Sequence, residues 1–344
     1  MKERLPDLVL SEQAMTKPST TATLIINPIS GTRHNQHLPQ IVASRLTDCG
    51  FDLEIVETTC SGDATRFATD AASRGREIVI AAGGDGTVNE TAMALCGTQT
   101  ALAILPCGSG NGLARHLGIP VDPLEALDIV IGRRRVSIDY GTVNNDREFF
   151  CTFGLGFDAA VSRTFAEQHR RGRLSYVKSA IEEIVRFRPE EYTIEAAGHV
   201  LTRRAFIVAV CNASQYGNNA YIAPSASISD GLLDVIIVHS GNPLLTALVG
   251  VDMMTGFINQ NTLIQTLKVP RVTITRNAPG PAHIDGEPVE LGKRLEVVCR
   301  HGLLNVIVPA GGEQKVTPII TPVRSFINDM RLAVNQILRD LGVQ

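Results

Sequence analysis

Short apolar runs rich in β-branched residues alternate with helical segments over the first third of the chain. The runs are predicted to be buried parallel strands, and the segments between them are predicted to be helices bounded by turn residues. The predicted strands are 23–26, 51–58, 78–82 and 101–105, and the predicted helices are 38–49, 61–74, 91–95, 113–117 and 123–131. Because strands that alternate with helices form parallel sheets, residues 22–137 are predicted to be a doubly wound α/β domain.

The pattern changes after residue 132, where short β-branched runs are separated mainly by turn residues. Strands are predicted at 136–143, 148–153, 192–196, 205–211, 232–239, 271–275, 295–300 and 303–308, with helices at 174–187 and 243–266. This spacing predicts a mainly antiparallel second domain over 138–317, a sandwich or an open barrel. Residues 1–21 are predicted to be a loose leader.

The last segment of the chain, within 318–344, is predicted to be an amphipathic helix. From 322 to 341 its apolar residues recur at spacings of three and four. We expect this helix to pack on the first domain, with a helix at a membrane surface as the alternative.

Charge and cysteine content narrow the class of protein. A formal net charge of −3 does not indicate a nucleic-acid partner. The seven cysteines include no Cys-x-x-Cys pair, which favours free thiols in the cytoplasm over a disulfide scaffold or a zinc site. The first residues lack a signal-peptide pattern, and no apolar run approaches the ~20 residues of a membrane span.

The most informative stretch is the glycine turn at 83–90, which lies between a predicted strand and a predicted helix. Glycines let a ligand approach the backbone closely, and the N–H groups at a helix start suit a phosphate. Asp85 within this turn would repel a bare phosphate, so it indicates a divalent cation between carboxylate and phosphate. The alternative is a turn whose glycines serve only close packing. The turn lacks the Lys-Ser/Thr of a Walker loop and the third glycine of a dinucleotide fingerprint.

Several other turns carry candidate chemistry. They are Asn-Pro-Ile-Ser-Gly at 27–31, Gly-Ser-Gly-Asn at 108–111, Gly-Leu-Gly-Phe-Asp at 154–158, Ala-Pro at 223–224 followed by Ser-Asp-Gly-Leu-Leu-Asp-Val at 229–235, and Ile-Asp-Gly-Glu-Pro at 284–288. The first two follow predicted strands, where open α/β sheets bind ligands. Taken alone, the Asp-Gly pairs at 230–231 and 285–286 equally predict hairpin turns.

The order and spacing of these motifs resemble the diacylglycerol-kinase catalytic-domain family of lipid kinases, which includes bacterial soluble lipid kinases and sphingosine kinases. The resemblance covers residues 22 to 310 and implies an NAD-kinase-like α/β domain, a β-sandwich domain and a nucleotide in the cleft between them. The residues that it assigns to the ATP site are Asn27, Pro28, Ile29, Ser30, Gly31, Thr58, Gly84, Asp85, Gly86, Thr87, Val88, Asn89, Glu90, Ser109 and Asn111.

The resemblance also implies catalytic and metal-binding residues. Glu287 matches the general base, and Asp85 would act on the phosphates through catalytic Mg²⁺. A second Mg²⁺ would be bound by the Asp230 side chain and the carbonyls of Ser227 and Leu232, oxygen ligands that suit a hard cation. Asp139 matches an acidic position that supports the site.

The chain departs from the family pattern in two places. The turn at 108–111 resembles that of sphingosine kinases, whereas bacterial diacylglycerol kinases often have Gly-Thr-x-Asn. The basic residues that commonly follow the turn at 27–31 are replaced by Thr32, Arg33 and His34. The arginines at 170, 171 and 173 are candidates to contact phosphate or an anionic headgroup, with a solvated basic turn as the alternative.

We therefore expect an ATP- and Mg²⁺-dependent kinase that acts on a lipid hydroxyl, of diacylglycerol or a sphingoid base. It is expected in the cytoplasm, peripheral at the inner membrane surface, with no transmembrane segment, and a homodimer is left open. An apolar groove for the lipid is expected beside the helix at 174–187. The alternatives are a soluble-substrate kinase of the NAD-kinase type, which shares a Gly-Gly-Asp-Gly-Thr turn, and a nucleotide sensor without catalysis.

Overall fold

The computed structural model describes residues 19–30, 38–167, 187–240, 243–258, 261–312 and 316. Several predicted features lie outside these residues. They are the leader up to residue 18, the residues from Gly31 to His34, the three arginines at 170, 171 and 173, the helix at 174–187 apart from Phe187, and the helix at 318–344. None of the described helices combines the length and the apolar character needed to span a bilayer.

The first part of the chain forms a parallel sheet flanked by helices. Its strands are β1 (Thr20–Ile26), β2 (Phe51–Glu57), β3 (Ile78–Gly83) and β4 (Ala101–Pro106), in the order β2-β1-β3-β4. The helices are α1 (Leu38–Asp48), α2 (Asp63–Ser73), α3 (Asp85–Leu95), α4 (Gly112–His116) and α5 (Pro123–Gly132). Every residue of β3 and β4 is buried, which explains their continuous apolar runs.

The second part is mainly antiparallel. Its elements are β5 (Arg135–Val143), β6 (Arg147–Phe149), β7 (Thr152–Gly156), α6 (Phe157–Glu167), β8 (Glu190–Ala196), β9 (His199–Cys211), β10 (Leu233–His239), α7 (Pro243–Thr255), β11 (Ile264–Val269), β12 (Arg271–Arg276), β13 (Gly280–Ile284), β14 (Glu287–Leu291) and β15 (Arg294–Ile307). An apolar core lies between its strands, with Phe149, Phe153 and Tyr192 among the largest buried side chains. The predicted fold class, a parallel α/β sheet followed by an antiparallel sandwich, is confirmed.

Strand β15 joins the two parts. The sequence predicts two strands here, but the structure has one, with an irregular register against β5 between Arg300 and Leu304. The end of β15 then pairs in parallel with β4, Val306 opposite Leu102. This pairing continues one hydrogen-bonded sheet from the sandwich into the parallel sheet. The predicted boundary at 137/138 falls within strand β5. The domain limits stay a prediction.

Three further local predictions were wrong. The helix predicted over 243–266 ends at Thr255, where Gly256 takes a φ of 76°, and 264–269 is strand β11. Helix α3 begins already at Asp85, so most of the glycine turn is helical. The strand predicted at 148–153 is divided into β6 and β7, because the backbone N–H groups between them donate to the Asp285 side chain.

Candidate active site

Three turns meet at the carboxyl ends of the parallel strands. A Cβ atom added to Gly108 would lie 2.7 Å from the Cα of Gly84, so only glycine fits there. A Cβ atom on Gly84 would lie 3.8 Å from the Ser30 hydroxyl oxygen. The turns after β1, β3 and β4 are therefore packed together, at the edge where open α/β sheets bind ligands.

Asn27 ties the first of these turns to helix α3. Its Nδ2 donates to the Thr87 hydroxyl oxygen at 3.0 Å, and its Oδ1 accepts the N–H of Ile29 at 3.1 Å. Thr58, at the end of β2, is buried and donates its N–H to Ile26. In contrast, the Ile29 side chain is 72% exposed. Of these predicted nucleotide-binding residues, Asn27 contacts the first turn of α3 directly. The N–H groups of a first helical turn have no intrahelical partner and suit a phosphate.

Asp85 connects the β3–α3 turn to the β4–α4 turn. Its two carboxylate oxygens accept the N–H groups of Asn111 at 2.9 Å and Gly112 at 2.8 Å. A Cβ atom on Gly110 would come within 2.7 Å of the Asp85 Oδ2 atom, which explains the glycine there. Each carboxylate oxygen that accepts one N–H keeps a further acceptor site. The carboxylate therefore orders the second turn and can still face a cation.

The side chains of Asn111 and Ser109 differ in their surroundings. Asn111 is buried with a φ of 52°, and its amide exchanges hydrogen bonds with the backbone of Gly108. Ser109 is exposed at the tip of the turn. Asn111 therefore shapes the turn from within, while the Ser109 hydroxyl is open to solvent.

The Glu90 carboxylate contacts the start of helix α2. One oxygen accepts the Ser61 hydroxyl and the Gly62 N–H at 3.0 Å each, and the other accepts the Ala64 N–H at 3.2 Å. Glu90 thus supplies the N-terminal cap that α2 lacks in its own sequence, since Gly62 has no side chain to cap with. Its contact with a nucleotide stays a prediction.

Replacing Glu90 with alanine is expected to lower the free energy of unfolding by about 1–2 kcal/mol, the usual cost of losing a helix cap. Urea denaturation measures the change. The matched control is Glu77→Ala, which removes an exposed carboxylate that caps no helix. Equal stability of the two variants would contradict the capping role.

Asp285 brings the second domain to helix α3. Asp285 and Gly286 have φ angles of 48° and 87°, those of a tight hairpin turn between β13 and β14. The Asp285 carboxylate accepts the backbone N–H groups of residues 150, 151 and 152 at 2.8 Å each, and Asn89 donates to it at 3.2 Å. Removal from water raises the pKa of the Asp285 carboxyl, and these backbone donors counteract part of the rise.

Cys151 closes a ring of contacts around the site. Its N–H donates to Asp285, and its Sγ atom would lie 3.3 Å from a Cβ on Gly112, the residue that donates to Asp85. Burial raises the pKa of the Cys151 thiol, so the thiol stays protonated. Asp85 and Asn89 are four residues apart on α3 and so share one face of the helix. Two segments remote in sequence therefore meet at the same place.

Glu287 stands at the edge of this ring. It is the first residue of β14, pairs with Ile284, and is exposed. The turn that precedes it is held by Asn89 of α3 through Asp285. The family resemblance assigns Asn89 to the site, whereas the sequence indicates Asp285 only as part of a hairpin turn. The Asp-Gly pair gave no sign of this contact, because the partner is 196 residues away.

The chain matches the sequence models of two known domains. The sequence model of the diacylglycerol kinase catalytic domain matches residues 21–143. The model of the YegS C-terminal NAD kinase beta sandwich-like domain matches residues 152–308. A relative named diacylglycerol kinase, from Bacillus subtilis, is 32% identical over 273 residues, which cover 77% of this chain and 89% of the relative. The chain belongs to the diacylglycerol kinase and YegS-like lipid kinase family.

A second relative and a solved structure are also similar to this chain. A relative from Chromohalobacter salexigens, named "Probable lipid kinase YegS-like", is 30% identical over 282 residues, 80% of this chain and 90% of the relative. The crystal structure of a diacylglycerol kinase from Bacillus anthracis superposes with a TM-score of 0.66 at 22% identity, over 85% of this chain and 98% of that chain. The superposition supports the fold. As a member of this family, the protein is an ATP-dependent kinase.

The loop of the kinase that was predicted to bind a second Mg²⁺ is held by protein groups. Asp230 accepts the N–H of Leu232 at 3.0 Å, and the Lys268 ammonium lies 3.3 Å from its other oxygen. Lys268 also lies 3.1 Å from Asp234 and donates to the Ser225 carbonyl. Within the described ranges, no three His, Cys, Asp or Glu side chains gather as a metal site. Metal ligation by Ser227, Asp230 and Leu232 stays a prediction.

The buried side chain of Asp139 accepts hydrogen bonds from the backbone of this loop. It is fully buried, and its carboxylate accepts the N–H groups of Gly231 and Gly302 at 2.7 Å each. His301 lies 2.8 Å from the same carboxylate. The acidic position that the resemblance singled out therefore shapes the turn at 230–231.

Replacing Lys268 with methionine is expected to lower the free energy of unfolding by roughly 1–3 kcal/mol at neutral pH, since the buried Asp234 carboxylate loses its cation. Burial raises the pKa of Asp234, and Lys268 lowers it. A raised carboxyl pKa in the folded state means that stability is present at low pH and is lost as the pH rises. The deficit of Lys268→Met should therefore grow with pH.

Urea denaturation of both proteins at several pH values between about 5 and 8 measures this deficit. Lys293→Met is the control, because Lys293 is also exposed and has no described carboxylate partner. A deficit that is the same at every pH would contradict the pairing of Lys268 with Asp234.

Proposed function

We propose that the protein transfers the γ-phosphoryl group of ATP to the hydroxyl of a lipid, either diacylglycerol or a sphingoid base. The observation that supports this most directly is the ring of contacts from Asp85 through Asn89 to Asp285. It places the turn that carries Glu287 against the helix whose start suits phosphate. A carboxylate beside a phosphate-binding turn is the arrangement that phosphoryl transfer to a neutral hydroxyl needs.

Each group has a distinct role in the proposed reaction. The turns at 27–31, 84–90 and 108–111, with Thr58 beside them, hold the nucleotide phosphates through backbone N–H groups and small polar side chains. Glu287 accepts the proton of the lipid hydroxyl as that oxygen attacks the γ-phosphorus, and the bond from this phosphorus to the β–γ bridging oxygen breaks to release ADP. Asp285 and Asn89 hold the turn that carries Glu287 against helix α3.

ATP is expected to bind together with Mg²⁺. Asp85 is the predicted site residue whose oxygen atoms fit this ion. The Asp85 oxygens each accept one N–H and keep acceptor capacity, so Asp85 would hold the ion at the phosphates, where it neutralises negative charge. The loop with Asp230 differs, because the Lys268 ammonium already supplies a positive charge there.

Labelled ATP and mixed micelles test the function. The protein is incubated with Mg²⁺, γ-labelled ATP and either diacylglycerol, a sphingoid base or NAD without lipid, and the labelled product is identified by mass spectrometry. We expect label in one of the two lipid samples and its loss when Mg²⁺ is chelated. Label in NAD alone would favour a soluble-substrate kinase, and tight ATP binding without transfer would favour a nucleotide sensor.

Binding to the membrane surface is part of the same proposal, because the acceptor lipid resides there. Flotation with vesicles that contain the labelled lipid substrate measures it. Recovery of the protein only in the soluble fraction, at lipid concentrations that support transfer, would contradict stable surface binding.

A further inference from the structure

His283 lies behind the turn that carries Glu287. It is 1% exposed, within β13. Its Nδ1 atom accepts the backbone N–H of Gly286 at 3.3 Å, and its Nε2 atom lies 3.0 Å from the Oδ2 atom of Asp158. Because Nδ1 accepts a hydrogen bond, the ring proton lies on Nε2 and is donated to Asp158. The imidazole thus links the turn to a fixed carboxylate.

Asp158 is held on several sides. It is 5% exposed near the start of α6, and it accepts the N–H of Ala159 at 2.8 Å and the Tyr216 hydroxyl at 2.9 Å. A Cβ atom on Gly154 would come within 2.2 Å of both Asp158 Oδ2 and His283 Nε2. The glycine therefore leaves the space in which the two side chains meet.

The same network extends to the first domain. The segment after Tyr216 packs on the turn at 108–111, where the N–H of Asn218 donates to the Gly110 carbonyl at 3.1 Å. A Cβ atom on Gly112 would lie 3.4 Å from the Tyr216 carbonyl oxygen. Gly112 is the residue whose N–H donates to Asp85. One set of contacts therefore runs from the Glu287 turn to the Asp85 turn.

We infer that His283 is a positioning residue for phosphoryl transfer, which fixes the 285–286 turn, and with it Glu287, relative to the phosphate-binding turns. The inference rests on the proposed function of Glu287 as the base. A general base acts only within hydrogen-bond reach of the proton it accepts, and small displacements of such a group cost rate steeply. The hydrogen bond from Gly286 to His283 is one of the contacts that set this position, beside those of the Asp285 carboxylate.

Two substitutions separate the two hydrogen bonds of the ring. In His283→Asn the amide oxygen lies near the former Nδ1 position, so it can accept the Gly286 N–H while the bond to Asp158 is lost. In His283→Gln the longer side chain reaches Asp158 instead, and the Gly286 N–H loses its acceptor. We expect kcat of His283→Gln to be at least about tenfold below that of His283→Asn, with similar KM for ATP.

A second measurement does not depend on catalysis. Amide hydrogen exchange at Gly286 should be slow in the wild type and in His283→Asn, and at least about tenfold faster in His283→Gln. His199→Gln is the control, since His199 is exposed at the hairpin between β8 and β9. The control should match the wild type in exchange and in kcat.

The outcomes distinguish the inference from the proposed function. Equal rates of amide hydrogen exchange at Gly286 in the two His283 variants would contradict the proposal that His283 fixes the 285–286 turn. This holds whichever substrate the enzyme uses. Equal kcat in an enzyme that phosphorylates lipid would overturn the positioning role. If Gly286 exchange follows the expected pattern but the wild type transfers no phosphate to lipid, the hold of His283 on the turn is supported and the proposed function fails.

Discussion

Replacing Glu287 with glutamine is expected to lower kcat for lipid phosphorylation by roughly 10²- to 10⁴-fold, the contribution of a positioned general base. Glutamine keeps the size of the side chain but does not accept the proton of the lipid hydroxyl. In the proposed function the other domain holds the nucleotide, so KM for ATP should stay within about threefold of the wild type, as expected for a group that acts in the transition state. Initial rates with labelled ATP at saturating lipid measure both constants.

The matched control is Glu290→Gln on the same strand. Glu290 is also exposed, three residues further along β14. It should leave kcat unchanged, and both variants should unfold within about 0.5 kcal/mol of the wild type, as is usual for surface substitutions. Similar kcat values for the two variants would contradict the assignment of Glu287 as the base.

Replacing Asp285 with alanine is expected to lower the free energy of unfolding by roughly 3–5 kcal/mol, because backbone N–H groups that it satisfies are left without an acceptor. Three of these N–H groups come from residues 150, 151 and 152, and Asn89 adds a side-chain donor. Alanine would also have to adopt the φ of 48°, which costs roughly 1–2 kcal/mol of that total. Urea denaturation monitored by circular dichroism measures the change.

Asn89→Ala provides the comparison for Asp285→Ala. It removes only the donor from α3 and leaves the backbone donors in place, so a loss of about 1 kcal/mol is expected. A deficit as large as that of Asp285→Ala would mean that the contact with Asn89, rather than the backbone N–H groups, determines the stability of the turn.

The elements that could be predicted from sequence are those with a strong local pattern. Strands β3 and β4 are continuous apolar runs because they are buried on both faces, and they were predicted to within one residue. At 150–152 tertiary contacts override the local preference, because hydrogen bonds to Asp285 interrupt a run rich in phenylalanine.

In the candidate site, the sequence indicated the residues but not the contacts that their side chains make. Motif order indicated Asp85, Asn89 and Glu287, and the structure places the segments that carry them around one turn cluster. The partners of the side chains were not visible in the motifs. Glu90 follows Asn89 directly, yet its carboxylate caps α2 through Gly62 and Ala64.

The sequence by itself determined the fold class, the glycine turns and the residue types that phosphoryl transfer requires. Hydrophobic periodicity and turn chemistry are local properties, so they can be read along one chain. Only the tertiary structure decided that Asp285 meets Asn89, that Lys268 lies among the carboxylates at 230 and 234, and that His283 holds the Glu287 turn. These contacts join remote segments, and their geometry depends on how the sandwich is connected to the parallel sheet, which no local pattern encodes.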